Sequence, residues 1–329
     1  MILVVGGCGY VGTHVVKALL TAGHQVTVLD DLSSGQAELL PGGELVLGDM
    51  GDRALLDELL GSRRVRGVVH LASLLNVAES VADPARYYRS NTSKSLTLLE
   101  AMVAHGVQSL VFSSSAAVYG EPVGLPIGEH HPCRPINPYG ASKWMVERML
   151  QDFSSAYGLA SVSLRYFNAA GADPQGHMGE CHEPETHLIP LAIQAALGRR
   201  PALVRYGRDY ATEDGTCIRD FVHVEDLAAA HLKALDYLWR GGESAAFNLG
   251  SGRGYSVQEV LDSVRRVTGC AVPVRDAPRR EGDPARLEAD IGLAQRELGW
   301  LPRRSELDTI VRDAWRWEIR RREVRQGRP

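Results

Sequence analysis

Long apolar segments are absent from this chain of 329 residues. No window approaches the roughly 18 consecutive apolar residues that a membrane span requires. The short apolar run at residues 2–5 stops at Gly6 and has no basic flank, unlike a secretory leader. We therefore expect no membrane as a partner.

Cysteine is sparse, with five scattered copies at Cys8, Cys133, Cys181, Cys217 and Cys270. An odd number without a Cys-x-x-Cys pair disfavours a disulfide framework and a thiolate zinc site, so no metal is expected. Cysteines that are not paired in disulfides are typical of reducing compartments, which favours a cytoplasmic location.

An excess of either charge is also lacking. The 36 basic and 40 acidic residues leave a net charge of −4, which disfavours nucleic acid as a partner. Lysine is rare among the basic residues, with only Lys17, Lys94, Lys143 and Lys233. A lysine inside a chemical motif therefore carries more weight here than in a lysine-rich chain.

The hydrophobic pattern alternates between strands and helices. Branched apolar runs predict strands at 2–5, 25–30, 44–47, 67–72, 108–113 and 161–167. Apolar residues at helical spacing predict helices at 11–20, 85–105, 139–157, 227–238 and 307–319. This alternation predicts the α/β class, with a Rossmann-like, doubly wound parallel sheet.

The rhythm breaks after residue 167. Residues 168–185 are rich in Gly, Asp, Pro, His and Glu and predict a loop into a second lobe. Ser256 and Glu259 then form a capping box at the start of a helix. The length predicts two domains: a dinucleotide-binding domain over 1–167 and a smaller C-terminal α/β substrate lobe over 168–329, with segments that cross back.

A glycine-rich turn, Gly6-Gly-Cys-Gly9-Tyr-Val-Gly12, joins the first strand to the first helix. Glycines at this place let backbone N–H groups approach a pyrophosphate. Asp30 ends the second strand, where a carboxylate binds both ribose hydroxyls and repels a 2′-phosphate, which favours NAD over NADP. Asp49 and Met50 end the third strand and either bracket an adenine or belong to an ordinary loop.

Tyr139 and Lys143 stand four residues apart on a predicted helix and therefore share one face. A nearby ammonium is expected to lower the pKa of the phenol and make it a general base. The pair alone fits a surface lysine beside a helical tyrosine equally well. Ser113, Ser114 and Ser115 end the fifth strand, where ligands bind in open α/β sheets.

Motifs in this order resemble the extended short-chain dehydrogenase/reductases and, within that superfamily, the UDP-glucose 4-epimerase family. They occupy residues 6–14, 30–35, 70–73, 79–81, 87–88, 112–120, 139–143, 165–168, 209–216, 219–224, 248–252 and 278–283. The stretches at 209–216 and 278–283 are specific to the epimerase branch. The resemblance implies NAD as cofactor, a UDP-hexose as substrate, and a homodimer formed through the helices at 85–105 and 139–157.

The roles of the reacting residues follow from this resemblance. Tyr139 is implied as the base, Lys143 holds the nicotinamide ribose and tunes Tyr139, and Ser115 binds the reacting hydroxyl. Oxidation of UDP-glucose at C4, rotation of the 4-keto sugar and reduction of its other face give UDP-galactose. Related dehydratases and decarboxylases carry an acid after this strand, whereas this chain has Ala116 and Ala117.

Epimerisation is therefore preferred. A UDP-hexuronate epimerase, a 4-reductase and a catalytically silent NAD-binding regulator are the alternatives. The implied cofactor residues are Gly6, Gly9, Tyr10, Val11, Gly12, Asp30, Ser34, Gly35, Asp49, Met50, Leu71, Ala72, Ser73, Ser90, Ser113, Tyr139, Lys143 and Tyr166. The implied substrate residues are Val77, Ser115, Tyr139, Asn168, His187, Leu188, Tyr206, Arg219, Arg280, Asp283 and Leu287. Leu188 and Tyr206 fit either a uracil pocket or ordinary packing.

Four positions depart from the family pattern. Leu75 replaces a frequent lysine and Ser90 a frequent asparagine, so we expect NAD to be held less tightly. His187 replaces an asparagine near the diphosphate. Leu287 is intermediate between the bulky residue that excludes N-acetylhexosamines and the small residue that admits them, which leaves UDP-GlcNAc and UDP-GalNAc open as additional substrates.

Overall fold

The computed structural model describes residues 1–280 and 283–325, without the side chains of 322–325; Glu281 and Gly282 of the motif at 278–283 lie outside the described residues. The strands are β1 (Ile2–Val5), β2 (Val26–Asp30), β3 (Glu44–Leu47), β4 (Gly67–His70), β5 (Ser109–Ser115), β6 (Ala160–Tyr166), β7 (Asn168–Ala170), β8 (Leu203–Tyr206), β9 (Ile218–His223), β10 (Ala245–Leu249), β11 (Gly254–Ser256), β12 (Val274–Ala277) and β13 (Arg286–Leu287). The α-helices are α1 (Tyr10–Thr21), α2 (Arg53–Ser62), α3 (Val77–Ala82), α4 (Pro84–Tyr87), α5 (Lys94–Ala104), α6 (Pro138–Tyr157), α7 (Leu188–Ala196), α8 (Val224–Trp239), α9 (Val257–Thr268), α10 (Gly292–Leu298) and α11 (Leu307–Arg325).

The main sheet is parallel, in the strand order β10-β6-β5-β4-β1-β2-β3. Alternate residues of β1 pack into two different apolar clusters, Ile2 and Val4 in one, Leu3 and Val5 in the other. Both faces of the sheet are therefore covered, which explains the unbroken apolar runs. The winding reverses between β1 and β4, where doubly wound sheets open a ligand crevice. The predicted fold class is confirmed.

The rest of the chain builds smaller units beside this sheet. Strands β7, β9, β11 and β13 form a second sheet, and β8 pairs with β12. Their core includes Ile193, Val260 and Ile310. Strand β10 nevertheless returns to the large sheet beside β6, and α8 packs on α1. Segments beyond residue 167 thus complete the first sheet.

The predicted helix at 85–105 is interrupted. Between α4 and α5 the backbone takes a π-helical turn at Tyr88–Ser93. Its buried Asn91 accepts a hydrogen bond from Leu74 N at 2.8 Å and donates to Leu74 O at 3.0 Å. Ser95 Oγ donates to the Asn91 carbonyl at 2.6 Å. The wider turn thus ties this helix to the loop after β4, a contact that apolar spacing does not encode.

Other expectations agree with the structure to within two residues at most strand ends. Strand β4 ends at His70 rather than at 72, and β5 continues to Ser115 rather than ending at 113. The predicted loop at 168–185 contains the short strand β7. The capping box of Ser256 and Glu259 is confirmed. None of the described helices is long and apolar enough to cross a membrane.

A buried ion pair joins α6 to the sheet. Arg165 on β6 donates to Glu147 on α6 through Nη2 at 2.6 Å and Nε at 3.0 Å, and both side chains are about 95% buried. Ser114 on β5 donates to the same carboxylate at 2.5 Å. One carboxylate thus fixes α6 against two neighbouring strands.

Replacing Glu147 with glutamine is expected to lower the free energy of unfolding by about 3–5 kcal/mol, because Arg165 is left as an uncompensated buried charge. The double variant Glu147→Met/Arg165→Met removes both charges and should lose much less. Arg53→Met in the exposed Arg53–Asp57 pair is the control, with an expected loss below about 1 kcal/mol. Urea unfolding measures all three; a Glu147→Gln loss no larger than the control would contradict the assignment.

Candidate functional site

A cleft of about 490 Å³ opens at the carboxyl ends of the central strands, around the reversal between β1 and β4. Every residue implied for the cofactor lines it, with the exception of Lys143. The implied substrate residues Val77, Ser115, Tyr139, Asn168, His187, Asp283 and Leu287 line it as well. The fold therefore brings together most of the residues that the sequence singled out.

The glycine-rich turn lies at one end of this cleft. Gly6 has φ +84°, and a Cβ there would lie 2.4 Å from Ala72 N. A Cβ on Gly12 would lie 2.3 Å from Gly6 O, so both glycines are required by packing inside the protein. A Cβ on Gly9 would meet nothing closer than 3.5 Å. Gly9 precedes α1 without a side-chain cap, so the first N–H groups of the helix are open to an anion.

Asp30 secures this turn from β2. Its carboxylate accepts from Cys8 N and Leu32 N, each at 2.9 Å. Burial raises the pKa of Asp30, and these two backbone hydrogen bonds oppose the rise. Each oxygen keeps further acceptor capacity for a ribose hydroxyl. Gly35 packs against the same turn, since a Cβ on Gly35 would lie 2.7 Å from the Cβ of Cys8.

Lys94 lines the cleft and was missed by the sequence analysis. Its Nζ donates to Asp49 Oδ2 at 2.5 Å. Burial raises the pKa of Asp49, but Lys94 and the N–H of Gly51 outweigh it and hold the pKa below its ordinary value. Asp49 therefore carries its charge beside a cation. The adenine role of Asp49 and Met50 stays a prediction.

The helix α6 presents Tyr139, Lys143 and Glu147 at successive spacings of four residues. Lys143 is buried, and its Nζ donates to Ser113 O at 2.7 Å. Burial lowers the pKa of Lys143 to about 7, and the negative charge of Glu147 opposes this effect. Tyr139 is half-buried beside Ser115 at the end of β5.

The expected depression of the Tyr139 pKa is wrong for this structure. Burial raises the pKa of Tyr139 above its ordinary value, and only the hydrogen bond with Ser115 opposes the rise. The physical reason is that removing the phenol from water disfavours the phenolate, while Lys143 Nζ donates to the Ser113 carbonyl.

Tyr166 is held by a residue that the sequence did not reveal. His231 on α8 donates from Nδ1 to Leu227 O at 2.8 Å, and its Nε2 then accepts from the Tyr166 hydroxyl at 2.6 Å. Burial lowers the pKa of His231 to about 4, so the ring is neutral. His231 stands 65 residues after Tyr166 within an apolar helical stripe, which carries no sequence signal.

Four implied substrate residues lie away from the cleft lining. Arg219 pairs with Asp283 and donates to Ile218 O at 2.7 Å. The guanidinium of Arg280 lies 4.0 Å from the ring centroid of Tyr206. Leu188 packs against the apolar cluster that includes Ile193, Val260 and Ile310. Their predicted roles remain untested.

Glu180 and His182 also line the cleft, next to His187, and were not predicted. Burial lowers the pKa of His187, but contacts with Glu180 and Glu185 outweigh it and raise the pKa to about 10. Burial likewise raises the pKa of Glu180, which the two histidines bring down to about 2. This wall of the cleft is therefore rich in charge.

Residues 2–250 match the NAD dependent epimerase/dehydratase family. The UDP-glucose 4-epimerase of Rhizobium meliloti (strain 1021) is 50% identical over 320 residues, covering 97% of each chain. The crystal structure of UDP-glucose 4-epimerase from Brucella ovis in complex with NAD is 49% identical, with a TM-score of 0.94 over 95% of this chain and 97% of its own. That of Bifidobacterium longum, in complex with NAD⁺ and UDP, is 36% identical, with a TM-score of 0.92 over 97% of this chain and 98% of its own.

Replacing Lys143 with methionine is expected to change how stability depends on pH. The lysine pKa is about 7 in the folded chain and about 10.4 when unfolded. Between these values the unfolded chain binds more protons, so wild-type stability rises with pH. The variant lacks this rise, so its stability relative to wild type should be about 2.5 kcal/mol greater at pH 6 than at pH 9.

Urea unfolding at the two pH values measures this difference. Val146→Ala, a buried substitution on the same helix without a titrating group, is the control and should have the same effect at both. An equal effect of Lys143→Met at pH 6 and pH 9 would show that the ammonium is not destabilised by burial.

Proposed function

The chain belongs to the NAD dependent epimerase/dehydratase family, and we propose that it interconverts UDP-glucose and UDP-galactose with NAD as cofactor. Relatives that are about 50% identical over nearly the full chain support the predicted activity and the predicted cofactor, which are confirmed. The observation that carries the proposal is the meeting of Ser115, Tyr139 and Lys143 beside the glycine-rich turn.

The cleft fits NAD on its own geometry. The turn at Gly9 leaves room where a Cβ would otherwise approach a pyrophosphate, and Asp30 offers acceptors for a ribose. When bound, NAD supplies reversible hydride removal at C4 of the sugar. Lys143 lies under this part of the cleft, and its remaining N–H donors suit the hydroxyls of the nicotinamide ribose.

The residues of α6 and β5 move the proton. Tyr139 takes it from the sugar 4-hydroxyl during oxidation and returns it after the 4-keto sugar has turned. Ser115, which hydrogen-bonds Tyr139, orients the reacting oxygen. Ala116 and Ala117 follow Ser115 and cannot transfer a proton, which disfavours the elimination chemistry of dehydratases.

The two lobes divide these tasks in the proposal. Residues 1–167 hold NAD, and 168–329 hold the nucleotide sugar, while β10 and α8 complete the first lobe. Asn168, Arg219, Arg280 and Asp283 bind the UDP portion in this proposal, and the two arginines suit the diphosphate because planar guanidinium groups pair bidentately with phosphate. We also propose a cytoplasmic location, supported by the free thiols of Cys8, Cys133, Cys217 and Cys270.

Replacing Tyr139 with phenylalanine should lower kcat by about 10²–10⁴-fold, because the proton-transfer group is removed. The assay follows UDP-glucose formed from UDP-galactose without added NAD. Tyr157→Phe is the matched control, since Tyr157 is exposed on the last turn of the same helix and should leave the rate unchanged. An unchanged rate in Tyr139→Phe would disprove the catalytic assignment.

The same assay with UDP-GalNAc tests the wider substrate range. Leu287 lines the cleft and is half-buried, which supports a pocket of intermediate size. Absence of turnover with the acetamido sugar would limit the chain to hexoses. The silent-regulator alternative predicts no turnover with either sugar despite bound NAD.

We propose a homodimer through the surface formed by α5 and α6. The support is the exposed apolar side chains of Leu96 and Met145 on these two helices, which pack against each other. Such a surface is favourable to cover in water and fits a second copy of the same helices.

Replacing Met145 with glutamate should weaken the dimer, because a charge would be buried in its centre. Sedimentation velocity should show dimer for the wild type and a shift toward monomer for the variant. Val123→Glu, at an exposed site outside these helices, should leave the dimer intact. A wild type that sediments as a monomer would overturn the proposal.

A further inference from the structure

Four side chains converge in the segment between β7 and α7. Glu180, His182, Glu185 and His187 place one donor atom each within 4.8 Å of all the others. His182 Nδ1 lies 3.0 Å from Glu180 Oε1, and His187 Nδ1 lies 3.1 Å from Glu185 Oε1. His187 also contacts Glu180 directly.

The two carboxylates are held in place by the fold. The Glu180 side chain is 5% exposed and that of Glu185 8% exposed. Trp317 Nε1 donates to Glu180 O at 2.9 Å, which fixes the backbone there. Glu185 Oε1 accepts from the N–H groups of Thr186 and His187 at 2.7 and 2.8 Å. Contacts within the protein therefore hold both acids.

The donor set suits a borderline cation. Two imidazole nitrogens and two carboxylate oxygens are typical ligands of Zn²⁺, which binds them at about 2.0–2.2 Å in a tetrahedron. Ligand atoms in such a tetrahedron stand roughly 3.3 Å apart. The separations of 3.0 and 3.1 Å already approach this, so small side-chain shifts admit an ion, and its binding releases the proton of His187 to solvent.

A cation at this cluster would favour substrate binding in the cleft. This step of the inference rests on the proposed function. Glu180, His182 and His187 line the same cleft as the proposed nucleotide-sugar residues Asn168 and Asp283. Within the described residues, the ion-pair partners of Glu180 and Glu185 are histidines, with no lysine or arginine. The charged form of His187 offsets one of the two carboxylates, so one negative charge is left beside the diphosphate and repels it. A divalent cation that takes the place of the His187 proton removes this remaining charge.

We propose that Glu180, His182, Glu185 and His187 form a binding site for a divalent cation of the zinc class in the wall of the substrate cleft. This differs from the sequence-based expectation of no metal. The ion is held by the chain alone and makes binding of the nucleotide diphosphate more favourable.

Isothermal titration of the chelator-treated, NAD-containing protein with ZnCl₂ tests the site directly. One Zn²⁺ per chain is expected, with at least tenfold weaker binding in His182→Ala and in Glu185→Gln. MgCl₂ should bind more weakly, because Mg²⁺ prefers oxygen ligands. His177→Ala is the matched control, an exposed histidine of the same segment outside the cluster, and should bind Zn²⁺ like the wild type.

Circular dichroism of both cluster variants excludes unfolding as the cause, and one variant removes an imidazole while the other removes a carboxylate. Zn²⁺ should also lower the KM for UDP-galactose severalfold with little change in kcat, an effect that His182→Ala loses. Absent zinc binding, or binding equal in all variants, overturns the inference even if epimerisation is observed. Specific zinc binding without epimerisation keeps the cation site and instead overturns the proposed function.

Discussion

A charged stripe buried between α6 and the parallel sheet is the constraint on which the rest of the site depends. Glu147 is neutralised by Arg165, while the ammonium of Lys143 has the Ser113 carbonyl and the Phe112 ring, whose centroid lies 5.0 Å away. Buried charges tolerate little displacement, since a lost partner is not replaced by water. The rotation of α6 is therefore fixed, and Tyr139, one turn before Lys143, is carried to its place beside Ser115.

This anchoring has an electrostatic consequence for the reaction. Burial lowers the pKa of Lys143 to about 7 and raises that of Tyr139, so burial disfavours the charged form of each group. A phenolate base requires additional positive charge close to it. The base form of Tyr139 therefore requires the cleft to hold its ligands. The four-residue spacing places Tyr139 near Lys143 but does not by itself lower the pKa of the phenol.

Much of the fold could be predicted because its signals are local. Apolar runs bounded by glycine located β1 and β3 to the residue, and the glycine-rich turn with Asp30 located the dinucleotide end of the cleft. The π-helical turn at Tyr88–Ser93 could not be predicted, because its cause is the pairing of Asn91 with a loop 17 residues earlier. The pairing of β10 with β6 could not be predicted either, because the two strands are far apart in the sequence.

Some functional residues could not be predicted whether they lie far from their partners in the sequence or close to them. His231 reaches Tyr166 across 65 residues, so distance along the chain hid it. Glu180 and His182, in contrast, stand within eight residues of His187, in a segment without periodicity. An aperiodic segment does not determine which side chains face each other, and a contact that holds its backbone, the hydrogen bond from Trp317 on α11 to the Glu180 carbonyl, comes from 137 residues away in the sequence. Chemistry on such a loop is therefore visible only once a distant helix has fixed its backbone.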